Sequence, residues 1–305
     1  RKKEKIISFF MYETILKDFE SYIILEKNLS KNTKLSYTRD VKKFLEYCDT
    51  KNINFLTATH KTLEEYLFFL KEKKYTTSSL FRKTEAIKSF YRFLLVDGRI
   101  KENKFSSFKA PRIDRKLPDF LSLEDINRLL SLFNGKKLNV LRTFVIIELL
   151  YSSGIRVSEA ASLVIESLNL DQLWIRVTGK GSKERIVPIN EDNRRLIKLY
   201  LDERQLHFEG KETEPYLFLN KSGKRLSRVQ IWKDIKKVAK KAGIKKNIYP
   251  HIFRHTFATH LLNGGADLKS ISEMLGHSSL TTTQIYTHLD NSAIKSMHKK
   301  YHPEG

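Results

Sequence analysis

Apolar residues recur at helical spacing through the first third of the chain, and turn signals fall between the runs. They predict four helices within residues 11–95 and no strand. The first runs from about Tyr12 to Glu26. The second follows Leu29-Ser30-Lys31-Asn32 and carries Leu35, Val41, Phe44, Leu45 and Cys48 on its buried face, with Lys34, Arg39, Lys42 and Lys43 elsewhere. The third includes Leu63, Tyr66, Leu67 and Leu70. The fourth, Ser78 to Val96, mixes Phe81, Ile87, Phe90, Tyr91 and Leu94 with Arg82, Lys83, Lys88 and Arg92. It stops near Asp97-Gly98, where glycine is a favoured terminator. The expectation is a helical bundle with basic outer faces.

The pattern then breaks. Residues 109–118, Lys-Ala-Pro-Arg-Ile-Asp-Arg-Lys-Leu-Pro, hold two prolines and four cations with little to bury, which reads as a stiff, basic linker. Beyond it, Ser122 to Leu132 and Leu138 to Ser152 look helical, with Glu124 and Asp125 in the first turn after Ser122 as a start signal. Leu173–Thr178 and Arg185–Ile189 alternate apolar and polar residues at period two around Gly179-Lys180-Gly181-Ser182-Lys183, the pattern of a hairpin. From Arg194 onward the chain again reads as mostly helical.

Length and charge sharpen this picture. At 305 residues the chain has room for two domains, each able to bury its own core. Cys48 is the only cysteine, so neither an intrachain disulfide nor a thiolate metal cluster is available, which fits a reducing, cytoplasmic setting. The longest apolar stretch, Phe144–Tyr151, is too short to cross a bilayer and is interrupted by Glu148, so no membrane partner is expected. There are 57 Lys and Arg against 35 Asp and Glu, a formal net charge of +22. Such a surface suits a polyanion, with affinity set by counterion release. Charge alone does not separate DNA, RNA and anionic lipid.

Four boxes in the second half gather groups that bind phosphate or move protons. In Ser153-Gly154-Ile155-Arg156-Val157-Ser158-Glu159, Arg156 and Glu159 lie three apart on one helical face, where a carboxylate can orient a phosphate-binding guanidinium. The bland alternative is an ordinary surface ion pair. Lys180 sits in the glycine-rich hairpin tip, which lacks the spacing of a phosphate-binding P-loop. It can supply a proton to a leaving alkoxide if brought close, or be a solvated turn lysine. Pro250 to His260 places His251 and Arg254 on one helical face, with Phe253 and Phe257 free to face the core. Its three histidines lack the H-E-x-x-H arrangement of zinc helices, so a proton shuttle beside an anion clamp fits better than a metal site. In Leu275-Gly276-His277 to Tyr286-Thr287-His288, a helix break is expected at Gly276 and a new helix near Ser279. A tyrosine nucleophile needs a base and a cationic pocket, because the phenol ionises only near pH 10.

Taken in order, Arg156, Lys180, His251, Arg254, His277 and Tyr286 resemble the catalytic set of the tyrosine recombinase (phage integrase) family. The wording of Pro250–Gly265 and Leu275–Leu289 is similar to its Xer branch, which acts at chromosome-dimer resolution sites. The resemblance spans nearly the whole chain. It implies a mainly α protein: a SAM-like core-binding bundle (1–108), the linker (109–118), and an α+β catalytic domain with a small antiparallel sheet (119–305). It further implies that Arg156, Arg254 and His277 contact the scissile phosphate, that Lys180 protonates the departing 5′ oxygen, and that His251 assists proton removal from the nucleophile Tyr286. Glu159 is implied to support them. No cofactor is implied. The implied partner is a double-stranded recombination site, held between the two domains as in a C-shaped clamp. A homo- or hetero-tetramer would act on two such sites, with a DNA translocase as a further partner. The tail from Asn291 to Gly305, with Ala293, Ile294, Met297 and Tyr301 at near-helical spacing, is implied to dock on a neighbouring subunit. The other reading of that tail is a helix capping its own domain. No arm-binding domain is expected ahead of the bundle within these residues.

Other readings share parts of this pattern. A mobile-element integrase or transposase would use the same chemistry, and a type IB topoisomerase the same nucleophile. A non-catalytic DNA-binding regulator on the same scaffold would be expected to lack one or more of the six groups, and here all six are present.

Overall fold

A computed structural model describes residues 2–25, 31–112, 119–133, 135, 137–179, 183–249, 251–276 and 298–304. The chain divides into two compact units, Arg1–Lys116 and Leu117–Gly305. The first is built from α1 (Lys2–Leu25), α2 (Lys31–Thr50), α3 (His60–Glu72) and α4 (Thr77–Val96), with a 3₁₀ turn at Phe55–Thr57. Local chemistry sets the boundaries. The Asn54 side chain accepts from Leu56 N to start the 3₁₀ turn, Thr59 and Thr62 form a capping box for α3, and Thr76 caps α4 by accepting from Ser79 N. Gly98 after α4 takes a left-handed φ of 73°.

The buried stripes of α2 and α4 interlock around Phe19, Phe44, Tyr66, Phe90 and Tyr91. Three expectations change here. The first helix begins at Lys2 rather than near Tyr12, since nothing between Lys2 and Met11 is a glycine or proline to stop it. Leu35 and Phe81 are exposed rather than buried. Each stands six residues before a buried member of its stripe, Val41 or Ile87, and so lies roughly 120° round the helix from it. Lys83 is not on an outer face. It lies four residues before Ile87, on the stripe itself, and is 2% exposed, with its ammonium 2.7 Å from the 1% exposed carboxylate of Asp40. Arg82 also pairs with Asp40. A buried cation is tolerated only with such a partner.

The second unit is layered around α6 (Leu138–Ser153), buried continuously from Leu141 to Ser153. Against it pack α5 (Leu123–Ser131), α8 (Glu191–His207), α9 (Arg228–Lys241) and α10 (Ile252–Asn263). Ser122 and Asp125 form the capping box at the head of α5. The short helices α7 (Val157–Ser162) and α11 (Leu268–Leu275) complete the set. The hairpin is present as β2 (Trp174–Thr178) and β3 (Glu184–Pro188), antiparallel in the register Ile175↔Val187 and Val177↔Arg185. A two-residue strand, β1 (Leu168–Asn169), pairs with β2 and was not foreseen, being too short to show alternation. Ile175, Val177 and Val187 turn one face of this sheet into the core.

The end of the chain, 298–304, packs on this same unit. The His298 Nε2 lies 2.6 Å from the Ser152 carbonyl oxygen, and the His298 and His302 rings stack with centroids 4.8 Å apart. Tyr301 crosses so close to Gly264 that a Cβ there would lie 2.3 Å from its carbonyl oxygen. Asn190 donates both to Glu148 Oε1 and to the Glu304 carbonyl, and the two carboxyl groups hydrogen-bond each other. In the single chain these residues therefore cap their own unit. Ala293, Ile294 and Met297 lie outside the described residues.

These buried groups make stability depend on pH. Burial, and then the Glu148 charge, push the Glu304 carboxyl up from 4.5 to about 9. Over that window the folded chain keeps a proton that the unfolded chain has lost, so stability falls as pH rises. Burial, then His298 and His260, push His302 from 6.5 down to about 3, which costs stability as pH falls. Below about pH 6.5 the buried histidines oppose this slope, and above it the hydrogen-bonded pair of Glu148 and Glu304 remains. The thermal midpoint of Glu304→Gln is expected to fall less than that of the unaltered chain between about pH 6.5 and 9. Equal slopes in a pH series of melting curves would refute the shared-proton account.

Candidate active site

Gly154 ends α6 in the left-handed conformation, φ 62°, and throws the chain back toward α10. Its carbonyl accepts from Arg254 Nη1 at 2.9 Å. Arg254 lies in the first turn of α10, is 7% exposed, and gives its other Nη to the carbonyl of Leu275, the last residue of α11. Backbone from two helix ends thus fixes the orientation of one guanidinium. Phe253 and Phe257 turn into the core.

Two residues beyond Gly154, Arg156 is the N-cap of α7 rather than a residue on its face. Glu159 is the third residue of that helix, and its carboxylate reaches back in a capping box. Oε2 accepts from Arg156 N at 2.8 Å and Oε1 from Arg156 Nη1 at 2.8 Å. Glu159 is only 4% exposed, whereas its partner remains part-exposed. A second guanidinium completes its coordination: Arg185 of β3 donates Nη1 to Oε1 at 3.0 Å and Nη2 to Oε2 at 2.9 Å. Burial alone would raise the Glu159 pKa. The hydrogen bonds and charge of Arg185, with those of Arg156, overcome it and hold the carboxyl at about 2.

Among the described residues, one carboxylate here faces three guanidiniums. Burial first, and then the charges of Arg156 and Arg185, bring Arg254 down to about 9, while Glu159 opposes the fall. His251 caps α10 beside them with part of its ring open to solvent. Partial burial, then Arg254, Arg156 and His255, lower its pKa below the ordinary 6.5, so it is neutral at pH 7 and able to accept a proton. The arrangement suits binding of a singly charged oxyanion next to a proton acceptor.

Of the residues singled out from sequence, Arg156, Glu159, His251 and Arg254 come together. Lys180, His277 and Tyr286, and the helix expected near Ser279, lie outside the described residues. The chain flanking two of them is described. Gly179 N donates to Lys183 O at 2.7 Å where the hairpin closes, and a Cβ on Gly179 would stand 3.7 Å from Glu159 Oε1. Gly276 takes a left-handed φ of 63° after α11, as its position suggested, and lies against the Arg185 side chain. Arg185 itself had been read only as a strand residue.

Residues 119–293 match the phage integrase family, and residues 16–98 match the N-terminal SAM-like domain of phage integrases. The tyrosine recombinase XerD of Oceanobacillus iheyensis is 38% identical over 296 residues, which cover 96% of this chain and 99% of that protein. The XerD of Staphylococcus saprophyticus is 40% identical over 294 residues, 95% and 99% of the two chains. The chain belongs to the phage integrase family. It is a Xer-like tyrosine recombinase, a site-specific DNA recombinase. The same fold occurs in the XerH recombinase bound to a palindromic difH substrate, at TM-score 0.69 and 24% identity over 86% of this chain and 78% of that one. It also occurs in the Tn1549 transposon integrase bound to transposon right end DNA, at TM-score 0.69 and 20% identity over 92% and 97%.

In this recombinase Gly154 carries a double constraint. A methyl group there would oppose the positive φ and stand 2.4 Å from the Phe257 ring. Gly154→Ala is expected to cost about 3 kcal/mol in denaturant unfolding, combining the left-handed penalty with overpacking. A loss below about 1 kcal/mol would show that the α6 end relaxes freely.

Proposed function

We propose that Arg156, Arg254 and His251 form the pocket for a scissile DNA phosphate, completed by His277, with Tyr286 as nucleophile and Lys180 as general acid. The observation that carries the reading is the convergence of two guanidiniums from separate helix ends beside a neutral histidine, where positive charge is in excess. An anion relieves that excess. In the proposed reaction the Tyr286 oxygen attacks phosphorus while His251 accepts the phenolic proton. The bond to the 5′ oxygen breaks, Lys180 protonates that oxygen, and a 3′-phosphotyrosyl diester remains. Attack by the 5′ hydroxyl of a partner strand reverses the sequence, so one phosphodiester is exchanged for another without nucleotide hydrolysis. The guanidiniums act on charge that builds on the non-bridging oxygens of the pentacoordinate state.

The substrate on this reading is a double-stranded recombination site in the cytoplasm. XerH is seen with a palindromic difH substrate and the Tn1549 integrase with transposon right end DNA, and the charge of +22 suits a DNA partner. A tetramer of identical or paired subunits would bring two sites together, with a DNA translocase as a further partner. Identity to XerD proteins over nearly the whole chain favours resolution of chromosome or plasmid dimers over the mobile-element alternative. Sequencing the DNA held in covalent adducts from cells tests this. One site near the replication terminus is expected, and recovery of element ends would overturn it.

On a nicked suicide duplex of that sequence, in EDTA, a denaturant-stable adduct is expected that vanishes in Tyr286→Phe while DNA binding persists. An adduct in the phenylalanine variant would remove Tyr286 from the mechanism. Arg156→Ala and Arg254→Ala are expected to slow single-turnover cleavage by roughly a hundredfold to a thousandfold, the loss typical of one oxyanion-stabilising donor. Near-normal cleavage by both would defeat the pocket assignment. Affinity should fall steeply with added salt in a titration, and a flat response would contradict the electrostatic reading.

A further inference from the structure

We propose that Arg185 is a positioning residue for DNA cleavage, holding Glu159 so that Arg156 is set for the phosphate. The inference rests on the assignment of Arg156 to the phosphate pocket. Arg185 pairs across the sheet with Val177 and shares the inward face of β3 with Val187, so its side chain runs inward and is only 10% exposed. There its fork meets both oxygens of Glu159, and its Nε lies 3.4 Å from the Met274 carbonyl near the end of α11. Gly276, directly before His277, lies against the same side chain, at a point where a Cβ would stand 3.1 Å from Arg185 Cδ. Gly179, directly before Lys180, also lies near it, since a Cβ there would stand 3.6 Å from Arg185 Nη1.

The chemistry requires a guanidinium. Glu159 accepts four hydrogen bonds, two from Arg156 and two from Arg185, so its carboxylate has one fixed orientation. A planar fork supplies two parallel bonds, whereas a lysine supplies a single point charge. Without Arg185, the carboxylate keeps only the partner it is meant to orient, and the Arg156 side chain gains rotational freedom. Arg185 does this without touching substrate, so its loss should appear in the rate of cleavage and not in DNA affinity.

The test uses the full chain and the nicked suicide duplex bearing the sequence recovered from cellular adducts. Arg185→Met is expected to slow adduct formation at saturating DNA roughly a hundredfold while the DNA Kd stays within about threefold. Because Arg185 acts through Glu159, Arg185→Met combined with Glu159→Gln should cleave no more slowly than Glu159→Gln alone. Cleavage by Arg185→Met within about threefold of the unaltered chain, or a further tenfold loss in the double variant, would overturn the proposal. If Arg185→Met does not fold, the comparison of Glu159→Gln with the double variant, which removes the buried ion pair as a whole, decides by itself. Absence of any adduct from the unaltered chain would sink the phosphate pocket itself. A normal adduct that ignores Arg185 would sink only this inference.

Discussion

The Glu159 carboxylate, shut away from solvent between two guanidiniums, is the interaction on which the arrangement of the site depends. Isolated burial of a carboxylate is costly, and would drive it toward its neutral form. Here Arg185 and Arg156 keep it charged, down to about pH 2. In return it neutralises part of a cluster in which Arg156, Arg185 and Arg254 would otherwise repel one another with nothing between them. The remaining excess of positive charge is built into the folded state before any ligand arrives. That is the physical meaning of preorganisation: the fold bears the cost of assembling the cations, so no dipoles need to reorient when negative charge develops.

The scaffold contributes by bringing together ends rather than faces of elements. The Gly154 end of α6, the N-cap of α7, the Gly179 end of the β2–β3 hairpin, the first turn of α10 and the last turn of α11 all meet at Glu159 and Arg254. Helix ends offer backbone groups without helical partners, and Arg254 uses two such carbonyls as its mount. The α6 helix also links this site to the chain's C-terminal residues. Its Ser152 carbonyl receives His298, while Phe257 touches both His302 and the space beside Gly154. Packing of residues 298–304 is therefore one side chain removed from the carbonyl that orients Arg254.

Much of this was legible from local pattern. The helices of the first unit, α5 and α6, the hairpin, the glycine stops at Gly98 and Gly276, and the apolar stripes that bury Phe44 and Phe90 all follow from spacing and turn chemistry. Leu35 and Phe81 misled because an apolar residue on a helix reads as core until its angle to the whole stripe is computed. Lys83 misled in the opposite sense, since its position on the stripe was visible but its partner, Asp40, belongs to another helix. Arg185 was hidden for a similar reason. Ile186 and Val187 are both apolar, so alternation within β3 alone does not say which face is inward. The pairing Ile175↔Val187 and Val177↔Arg185 decides it, and pairing is a property of two strands. Residues that act through long-range partners leave little trace in a local window.

The surplus charge also bears on why such a pocket can cut and rejoin with the same groups. On the proposed assignment, the DNA phosphodiester and the phosphotyrosyl diester each carry one negative charge on the same two non-bridging oxygens. A cage of fixed cations therefore stabilises both to a similar degree and gives neither a large advantage. The pentacoordinate state between them concentrates more negative charge on those oxygens, and the cage stabilises it more. An arginine whose own charge is disfavoured by burial and by its neighbours gains most where negative charge is greatest. On that assignment, guanidiniums crowded around a single carboxylate would lower the barrier in both directions while leaving the equilibrium between the two diesters nearly level.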